Sequence, residues 1–460
     1  MDRLKLTWQM SRRFASNFLN YKDIPSPKAW PIIGHAHLFG PKGPYKIERL
    51  TEAFGDLSKK YGPIFRLRLG PQDMLMTTDA DDARTLFQHE GKKPFRPPFP
   101  ALVHYRQKTF GSCGIVPGNG DEWYHFRPAV NPLLKPQMVH SYWSRQQDIA
   151  EAFALHIEKI RGPQNVVTDL NKLITKYTIE AISMVSPGER FRCLEETERA
   201  EKIRQANDTF MEGLYETLME PPVWKVFKTS GYRKLAYAHE TIHDILSQSL
   251  NEARGLAESP QWQQEQPFMA EILGNKSLSW DDKTATTLVF SLHLLSLDSK
   301  RQARAREEAK LVTKEADPKN LRLPFLRSCL KETLRLFPTA GGNTRKLAES
   351  TSMVSAVSPI SSRMEKYFPK AEDFIPERWL REGDGGPAAA SHHPFASLPF
   401  GHGPRMCPGR RLAEQEMLLL LAEVLKHYEL VRVDTEPLGM VTRMNRVPDR
   451  VINLKFNTIA

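Results

Sequence analysis

The chain has 460 residues, of which 40% are hydrophobic and 26% are charged, a composition typical of a globular protein and not of a disordered one. Lysine and arginine number 65 and aspartate and glutamate 54, so the net charge of +11 favours an acidic partner or an anionic surface, and no recognised nucleic-acid-binding motif accompanies it. No run approaches the ~20 apolar residues of a membrane-spanning helix, and four scattered cysteines exclude a disulfide scaffold or a zinc-binding motif.

Residues 1–23 have the pattern of a targeting segment. They are basic, contain few acids, and place Leu6, Met10 and Phe14 at helical spacing, as in a mitochondrial transit segment or its remnant. A frayed surface helix would give the same pattern, so the sequence leaves both interpretations open. Three prolines within residues 24–34 then predict a stiff, extended segment that leads into the main domain.

Alternating and helical hydrophobic patterns predict the next elements. A helix over residues 45–61 leads into strands at 64–69 and 74–77, which a turn joins. A helix over 81–89 follows, and Asp79 is its expected N-terminal cap.

The rest of the chain is predicted to be mainly helical. Residues 140–256 read as helices with a break at 220–224, where two prolines and a tryptophan occur. The later predicted elements are helices over 323–336 and 412–425 and strands over 428–433 and 451–456. The two terminal strands are expected to pair with each other.

Two residue pairs on predicted helices have a spacing of chemical interest. Trp123 and Arg127 are four residues apart and share a helix face, so an indole N–H and a guanidinium there can bind one carboxylate. Glu332 and Arg335 are three residues apart on another helix. Taken alone, the first pair is an ordinary arginine packed on an aromatic ring, and the second is a surface ion pair that contributes a few tenths of a kcal/mol.

A single cysteine, Cys407, lies on a Gly/Pro-rich loop just ahead of an apolar helix. Backbone N–H groups and the positive end of a helix dipole stabilise a thiolate in such a place. Gly403 and Gly409 let a bulky, flat group approach the backbone, and Arg405 indicates an anionic substituent on that group. Most single cysteines are inert core residues. The fixed spacing of Cys407 from Phe400, the glycines and the arginine favours a functional thiolate over an inert core cysteine.

The spacing Phe-x-x-Gly-x-Arg-x-Cys-x-Gly resembles the heme-binding loop of the cytochrome P450 family. The resemblance implies a mainly α fold with small β-sheets (α+β), in which residues 24–460 form one large helical domain with a minor β-rich region. It implies heme as the cofactor, with Cys407 as the axial thiolate ligand of the iron. The other residues that it assigns to heme binding are Trp123, Arg127, Arg345, Phe400, Gly403, Arg405 and Gly409. It also joins Glu332 and Arg335 to Arg378 in a structural cluster.

Several features resemble the mitochondrial branch of the family, whose electron donor is a small acidic ferredoxin. The basic charge suits steered docking of such a donor, and the residues expected to form the docking surface are Arg327, Lys331, Arg410 and Arg411. The alternative is that Arg327 and Lys331 are solvated helix charges. The branch implies a mitochondrial location with peripheral contact with the inner membrane. Short stretches within residues 93–116 are similar to arthropod members of the ecdysone 20-monooxygenase type, which implies a lipophilic, ecdysteroid-like substrate.

The predicted oxygen-activating helix departs from the family pattern (Ala/Gly)-Gly-x-(Asp/Glu)-Thr-(Thr/Ser), whose acid and alcohol deliver protons. Asp282 falls at the acid, but Lys283 replaces the threonine. Thr284 is the nearest hydroxyl, and Trp280 replaces a small residue. Asp282 and Thr284 are therefore the candidate catalytic residues. Part of this helix upstream of Lys283 is missing relative to the family, and so is part of the strand pair expected after Arg345.

Three functions remain open from the sequence. The first is a heme-thiolate monooxygenase that takes electrons from a ferredoxin and inserts one oxygen atom of O2 into a steroid or other lipophilic substrate. The second is a heme-binding but catalytically impaired family member or truncated isoform. The third, an isomerase or dehydratase that needs no reductase, is disfavoured by the basic, donor-like surface. The shortened regions favour a truncated product over a divergent one, because lost packing around the heme is costly.

Overall fold

The computed structural model describes residues 21–69, 72–256, 283–346, 352–387 and 392–459, together with Ser259, Trp262 and Gln266. All but the last three residues of the expected leader lie outside these ranges, as do Trp280 and Asp282. Helices account for most of the described chain and the strands form three small sheets, which confirms the mainly α prediction. No helix within the described ranges is both long and apolar enough to cross a membrane.

The helices are numbered here in chain order. The first seven are α1 Leu50–Tyr61, α2 Ala80–Gln88, α3 Pro100–Phe110, α4 Gly120–Val130, α5 Pro136–His140, α6 Trp143–Ile160 and α7 Leu170–Ser183. The next seven are α8 Glu198–Met219, α9 Ser230–Leu256, α10 Lys283–Ser296, α11 Ser299–Ala309, α12 Pro324–Leu336, α13 Ser358–Ser361 and α14 Arg410–His427. A 3-10 turn, Pro222–Lys225, separates α8 from α9, where the prolines predicted the break.

The strands are β1 Ile64–Leu69, β2 Gln72–Thr77, β3 Val166–Val167, β4 Asn343–Lys346, β5 Met353–Ala356, β6 Tyr428–Arg432, β7 Met440–Thr442, β8 Arg446–Pro448 and β9 Leu454–Thr458. One sheet has the order β1-β2-β5-β4, in which only the β2–β5 pair is parallel. The second sheet has the order β3-β9-β6, and β7 pairs with β8. The expected pairing of the terminal strands is confirmed, since β6 and β9 run antiparallel.

Local sequence signals account for the start of the domain. The Asp79 side chain accepts a hydrogen bond from the Asp81 N–H at 2.9 Å, so the predicted cap of α2 is confirmed. Leu69 is opposite Gln72 in the β1–β2 hairpin, so β2 begins two residues earlier than predicted. The helix expected over 45–61 begins as a 3-10 turn and becomes α1 only at Leu50.

A short strand pair carries Arg345. The sequence lacks the family signatures of this pair, yet β4 and β5 form an antiparallel pair of four residues each. The N–H of Val357, just past β5, donates to the carbonyl of Thr77 at 2.8 Å, so the pair is anchored to β2. Arg345 is therefore held at a defined register position within a sheet.

The main core surrounds α14. All nine residues from Met417 to Leu425, including Leu419, Leu420 and Leu421, are at most 2% exposed. They pack with α6, α7, α10, α11 and α12. A helix that is apolar on all sides is stable only when it is buried. Because α14 begins three residues after Cys407, this burial fixes the position of the cysteine loop.

A buried ionic cluster links α12 to the segment before the cysteine loop. Glu332 and Arg335 are both 0% exposed, and Glu332 Oε1 lies 2.7 Å from Arg335 Nη2 and 3.0 Å from Arg378 Nε. Glu332 also accepts hydrogen bonds from the Ile375 N–H and the Trp379 indole. The pair is thus no surface ion pair, and the cluster with Arg378 that the family resemblance implied is present.

Candidate functional site

The cysteine loop is held by its own backbone. The Cys407 N–H donates to the Phe400 carbonyl at 2.9 Å, and the Met406 N–H donates to the Gly403 carbonyl at 3.0 Å. Gly401 has a φ of 72° and Gly403 a φ of 73°, in the left-handed region where glycine is least strained. The Cys407 side chain is exposed, so the loop presents a thiol just before the N-terminus of α14.

Arg405 is anchored behind this loop. Its Nε donates to the Pro94 carbonyl at 3.0 Å, and its Nη2 donates to the Gly118 carbonyl at 2.7 Å and to Asn119 Oδ1. Its guanidinium carbon lies 4.3 Å from the centroid of the Trp123 ring. Burial, followed by the nearby positive charges of three other arginines, lowers the pKa of Arg405 to about 9. Sequence reasoning missed Asn119, which is recognisable only once the loop before α4 is folded.

Trp123 and Arg127 both point from α4 toward the cysteine loop. Trp123 is 3% exposed and packs against Arg405, and Arg127 Nη2 donates to the Met406 carbonyl at 2.7 Å. Burial lowers the pKa of Arg127, and the charge of Cys407 opposes that shift. The two residues therefore meet at one face as predicted, although Arg127 is also bound to the backbone next to the cysteine.

Arg345 reaches the same place from β4. Its Nε lies 2.6 Å from Glu90 Oε2, its Nη1 donates to the Thr344 carbonyl at 3.0 Å, and its Nη2 donates to the His402 carbonyl at 3.5 Å. The side chains of Arg345 and Glu90 are 3% and 2% exposed. No sequence signal marks Glu90, which follows α2 by two residues and has no motif around it.

The two loop glycines have different surroundings. A Cβ on Gly403 would lie 1.8 Å from Glu90 Oε1, so a carboxylate already fills the space beside this glycine. A Cβ on Gly409 would meet no heavy atom within 4 Å. Phe400 lies with its ring 5.7 Å from the Arg410 guanidinium carbon and packs against the main core.

The charge of the site favours an anionic ligand. Arg96, Arg127 and Arg345 all act on Arg405 as nearby positive charges, and Glu90 supplies an opposing negative charge. A cluster of four guanidinium groups moderated by one carboxylate would attract a ligand that carries two further carboxylates. An exposed thiol and such a cluster, on the same loop and its neighbours, would hold the iron and the propionates of a heme.

The candidate proton-delivery residues are only partly described. Thr284 lies in the first turn of α10 and is half-buried, while Asp282 lies outside the described ranges. Ala285, the next residue, is 1% exposed and belongs to the main core. Asp282 and Thr284 therefore stay predictions.

The expected docking residues lie near one another on α12 and at the start of α14. Arg327 and Arg411 both line a cavity of about 250 Å³ whose wall includes Trp143. Burial lowers the pKa of Lys331. The positive charges of the neighbouring arginines add to this shift, and the Glu414 carboxylate opposes it. Arg410 Nε lies 2.8 Å from Glu414 Oε1. Neither Arg327 nor Arg411 forms an ion pair with any residue in the described part of the chain.

The family model of the cytochrome P450 proteins matches residues 24–283 and 281–447. The chain belongs to the cytochrome P450 family. Among its relatives are the probable cytochrome P450 49a1 of Drosophila melanogaster, 31% identical over 95% of this chain and 82% of the relative, and the probable mitochondrial cytochrome P450 12a5 of the same fly, 28% identical over 95% and 91%. The mitochondrial sterol 26-hydroxylase of Oryctolagus cuniculus is 28% identical over 90% and 83%.

Membership makes this chain a cytochrome P450 monooxygenase with a thiolate-ligated heme as cofactor. The residues on the cysteine loop and the arginine cluster fit that cofactor in charge and in exposure. The shortening of the helix upstream of Lys283 stays a prediction. The family match divides at residues 281–283, where the sequence places the missing segment, and one relative aligns over 502 positions although the chain has only 460 residues.

Proposed function

We propose that Cys407 is the iron ligand of this cytochrome P450 and that Arg127, Arg345 and Arg405 bind the heme propionates. The observation that carries the proposal is the convergence of these guanidinium groups on a loop that exposes a single thiol. Heme held in this way supplies dioxygen activation by a thiolate-ligated iron. Trp123 packs against the Arg405 guanidinium, and Phe400 and Gly409 frame the loop around the ligand.

The test of the heme site is spectroscopic. The reduced, carbon-monoxide-bound protein should show the red-shifted absorbance band of a thiolate-ligated heme, and Cys407→Ser should abolish it. Cys329→Ser is a matched control, because Cys329 is buried in the main core and its loss should leave the band in place. A purified chain that takes up no heme, or a band that survives in Cys407→Ser, would refute the assignment.

The proposed reaction inserts one oxygen atom of O2 into a C–H bond of a lipophilic substrate, with a steroid of ecdysteroid type as the candidate. The relative named sterol 26-hydroxylase supports a sterol-like substrate class. The Asp282 carboxyl and the Thr284 hydroxyl are proposed to relay protons to the reacting oxygen. Addition of ecdysteroids to the heme-loaded protein should change its absorbance spectrum saturably. Turnover that is unchanged in Asp282→Asn and Thr284→Ala would remove these two residues from the relay.

The proposed electron donor is a small acidic ferredoxin that docks on the surface formed by Arg327, Lys331, Arg410 and Arg411. The net charge of +11 and the two arginines without described ion-pair partners support this surface. The double variant Arg327→Gln and Arg411→Gln should weaken ferredoxin binding and reduce its salt dependence. Arg322→Gln is the control, since it removes an 80% exposed arginine elsewhere; an equal loss in the control would refute a specific docking surface.

A mitochondrial location with peripheral contact with the inner membrane is proposed from the relatives named mitochondrial. Val226 and Phe227, between α8 and α9, are 78% and 72% exposed, as expected for side chains that insert into a lipid surface. Replacing both with serine should reduce flotation with anionic vesicles. Leu155→Ser, which removes a 67% exposed apolar side chain on α6, should leave flotation unchanged.

A second candidate function is a heme-binding family member with impaired catalysis. The division of the family match at residues 281–283 favours it, because that is the segment expected to cover the dioxygen side of the heme. Such a protein would bind heme and ferredoxin but form no product from lipophilic substrates, and insertion of the missing helical segment should restore turnover. Hydroxylation of a steroid by the unaltered chain would exclude this candidate.

A further inference from the structure

Glu90 connects three elements that meet beside the cysteine loop. It follows the end of α2, its Oε2 lies 2.6 Å from Arg345 Nε on β4, and its other oxygen faces the loop at Gly403. The side chain is 2% exposed. A carboxylate that is withdrawn from water to this extent is stable only when a strong partner compensates for its lost hydration, and Arg345 is that partner.

The second carboxylate oxygen has no such compensation. Glu90 Oε1 is buried and accepts no hydrogen bond from the described residues. It lies where a side chain on Gly403 would begin, 1.8 Å from the ideal Cβ position. Only glycine leaves room for it, and Gly403 has the positive φ that glycine tolerates. An unpartnered, buried oxygen directed at the cysteine loop indicates a role beyond a simple ion pair.

The charge around Glu90 is strongly positive. Arg405 is surrounded by Arg96, Arg345 and Arg127, and Glu90 is the carboxylate that opposes them. Burial raises the pKa of Glu90, while Arg345, His402 and Arg405 favour its ionised form. The carboxylate therefore reduces the positive charge of the arginine cluster that is proposed to bind the heme propionates.

We infer that Glu90 is a positioning residue of the heme pocket: it holds the Arg345 guanidinium against the cysteine loop and sets the local charge that the heme meets. The inference rests on the proposed function of Cys407 and the arginine cluster. A negative charge near a metal centre favours its more positive, oxidised state. Removal of the Glu90 charge should consequently make the iron easier to reduce.

The experiment compares the midpoint reduction potential of the heme-loaded full-length protein with that of Glu90→Gln and Glu90→Asp. Glu90→Gln keeps the shape of the side chain but loses its charge, so the potential should shift upward. Glu90→Asp keeps the charge and should return the potential toward that of the unaltered chain. If Glu90→Gln yields too little folded protein, the Asp variant and its thermal unfolding midpoint still test whether the carboxylate holds Arg345.

Glu180→Gln is the matched control. Glu180 is also fully buried, lies 2.7 Å from Arg190 Nε and accepts the Cys193 N–H at 2.8 Å, on α7 and outside the arginine cluster. It should lose stability without an upward shift in potential. If Glu90→Gln behaves like this control, Glu90 is a structural residue and the inference is overturned, while the heme site stands. If the unaltered chain takes up no heme, the proposed function and the inference both fall.

Discussion

The buried cluster around Glu332 gives the sharpest stability prediction. In Glu332→Gln the carboxylate becomes a neutral amide of nearly the same shape. Arg335, which is 0% exposed, then loses the counter-charge that lies 2.7 Å from its Nη2, and Arg378 loses a partner 3.0 Å from its Nε. The amide NH2 group also faces donors, including the Trp379 indole that now lies 2.7 Å from Glu332 Oε2.

The expected loss is about 3–5 kcal/mol of the free energy of unfolding, the usual effect of leaving a buried charge without its partner. Arg335 also donates hydrogen bonds to the backbone carbonyls of Ser362, Ala371 and Asp373. These bonds still stabilise the guanidinium charge in the variant, so the loss should lie toward the lower end of this energy range. An exposed ion pair would lose less than about 1 kcal/mol. The two magnitudes are far enough apart to separate by equilibrium unfolding.

Urea unfolding of the full-length protein, followed by circular dichroism, is the assay. Glu377→Gln is the control, because the Arg301–Glu377 pair has a similar length of 3.0 Å but side chains that are 28% and 30% exposed. Glu332→Gln should lower the unfolding midpoint by several times the shift of Glu377→Gln. Equal shifts in the two variants would show that burial does not govern the contribution of this cluster, and the reasoning would be refuted.

Three further outcomes are expected. Burial raises the pKa of Asp82 to about 8, so the contribution of this carboxyl to stability is full below about pH 4 and is lost as the pH rises through 8. Asp82→Asn should remove the resulting decline of the thermal unfolding midpoint between pH 5 and 9. An unchanged slope of the midpoint against pH would contradict this prediction. Gly403→Ala should lower the free energy of unfolding in urea by more than about 1 kcal/mol, because the residue has a φ of 73° and its Cβ would collide with Glu90. Gly409→Ala should have little effect, because Gly409 has a φ of −77°. Asn119→Ala should lower the free energy of unfolding by about 1–3 kcal/mol in urea, because Arg405 and the Arg96 backbone lose a half-buried partner. A loss no greater than that of Asn251→Ala, on the exposed face of α9, would contradict it.

Local signals in the sequence determined the elements and the cysteine loop. The cap at Asp79, the alternation in β1 and the apolar run of α14 depend on neighbours within a few residues, so they can be read without the fold. The register of Cys407 with Arg405 is likewise fixed along the chain. These features sufficed for the family, because its heme loop is one continuous motif.

Tertiary structure alone decided what surrounds that motif. Glu90 and Arg345 are 255 residues apart in sequence, and no local pattern distinguishes Glu90 from an ordinary surface charge. Burial turned the Glu332–Arg335 spacing from a weak surface pair into a charged cluster, and β-sheet pairing supplied the strand that carries Arg345 although the family signatures are missing. The physical reason is that desolvation and long-range charge depend on which segments pack together, whereas helix caps, periodicity and loop register depend only on adjacent residues.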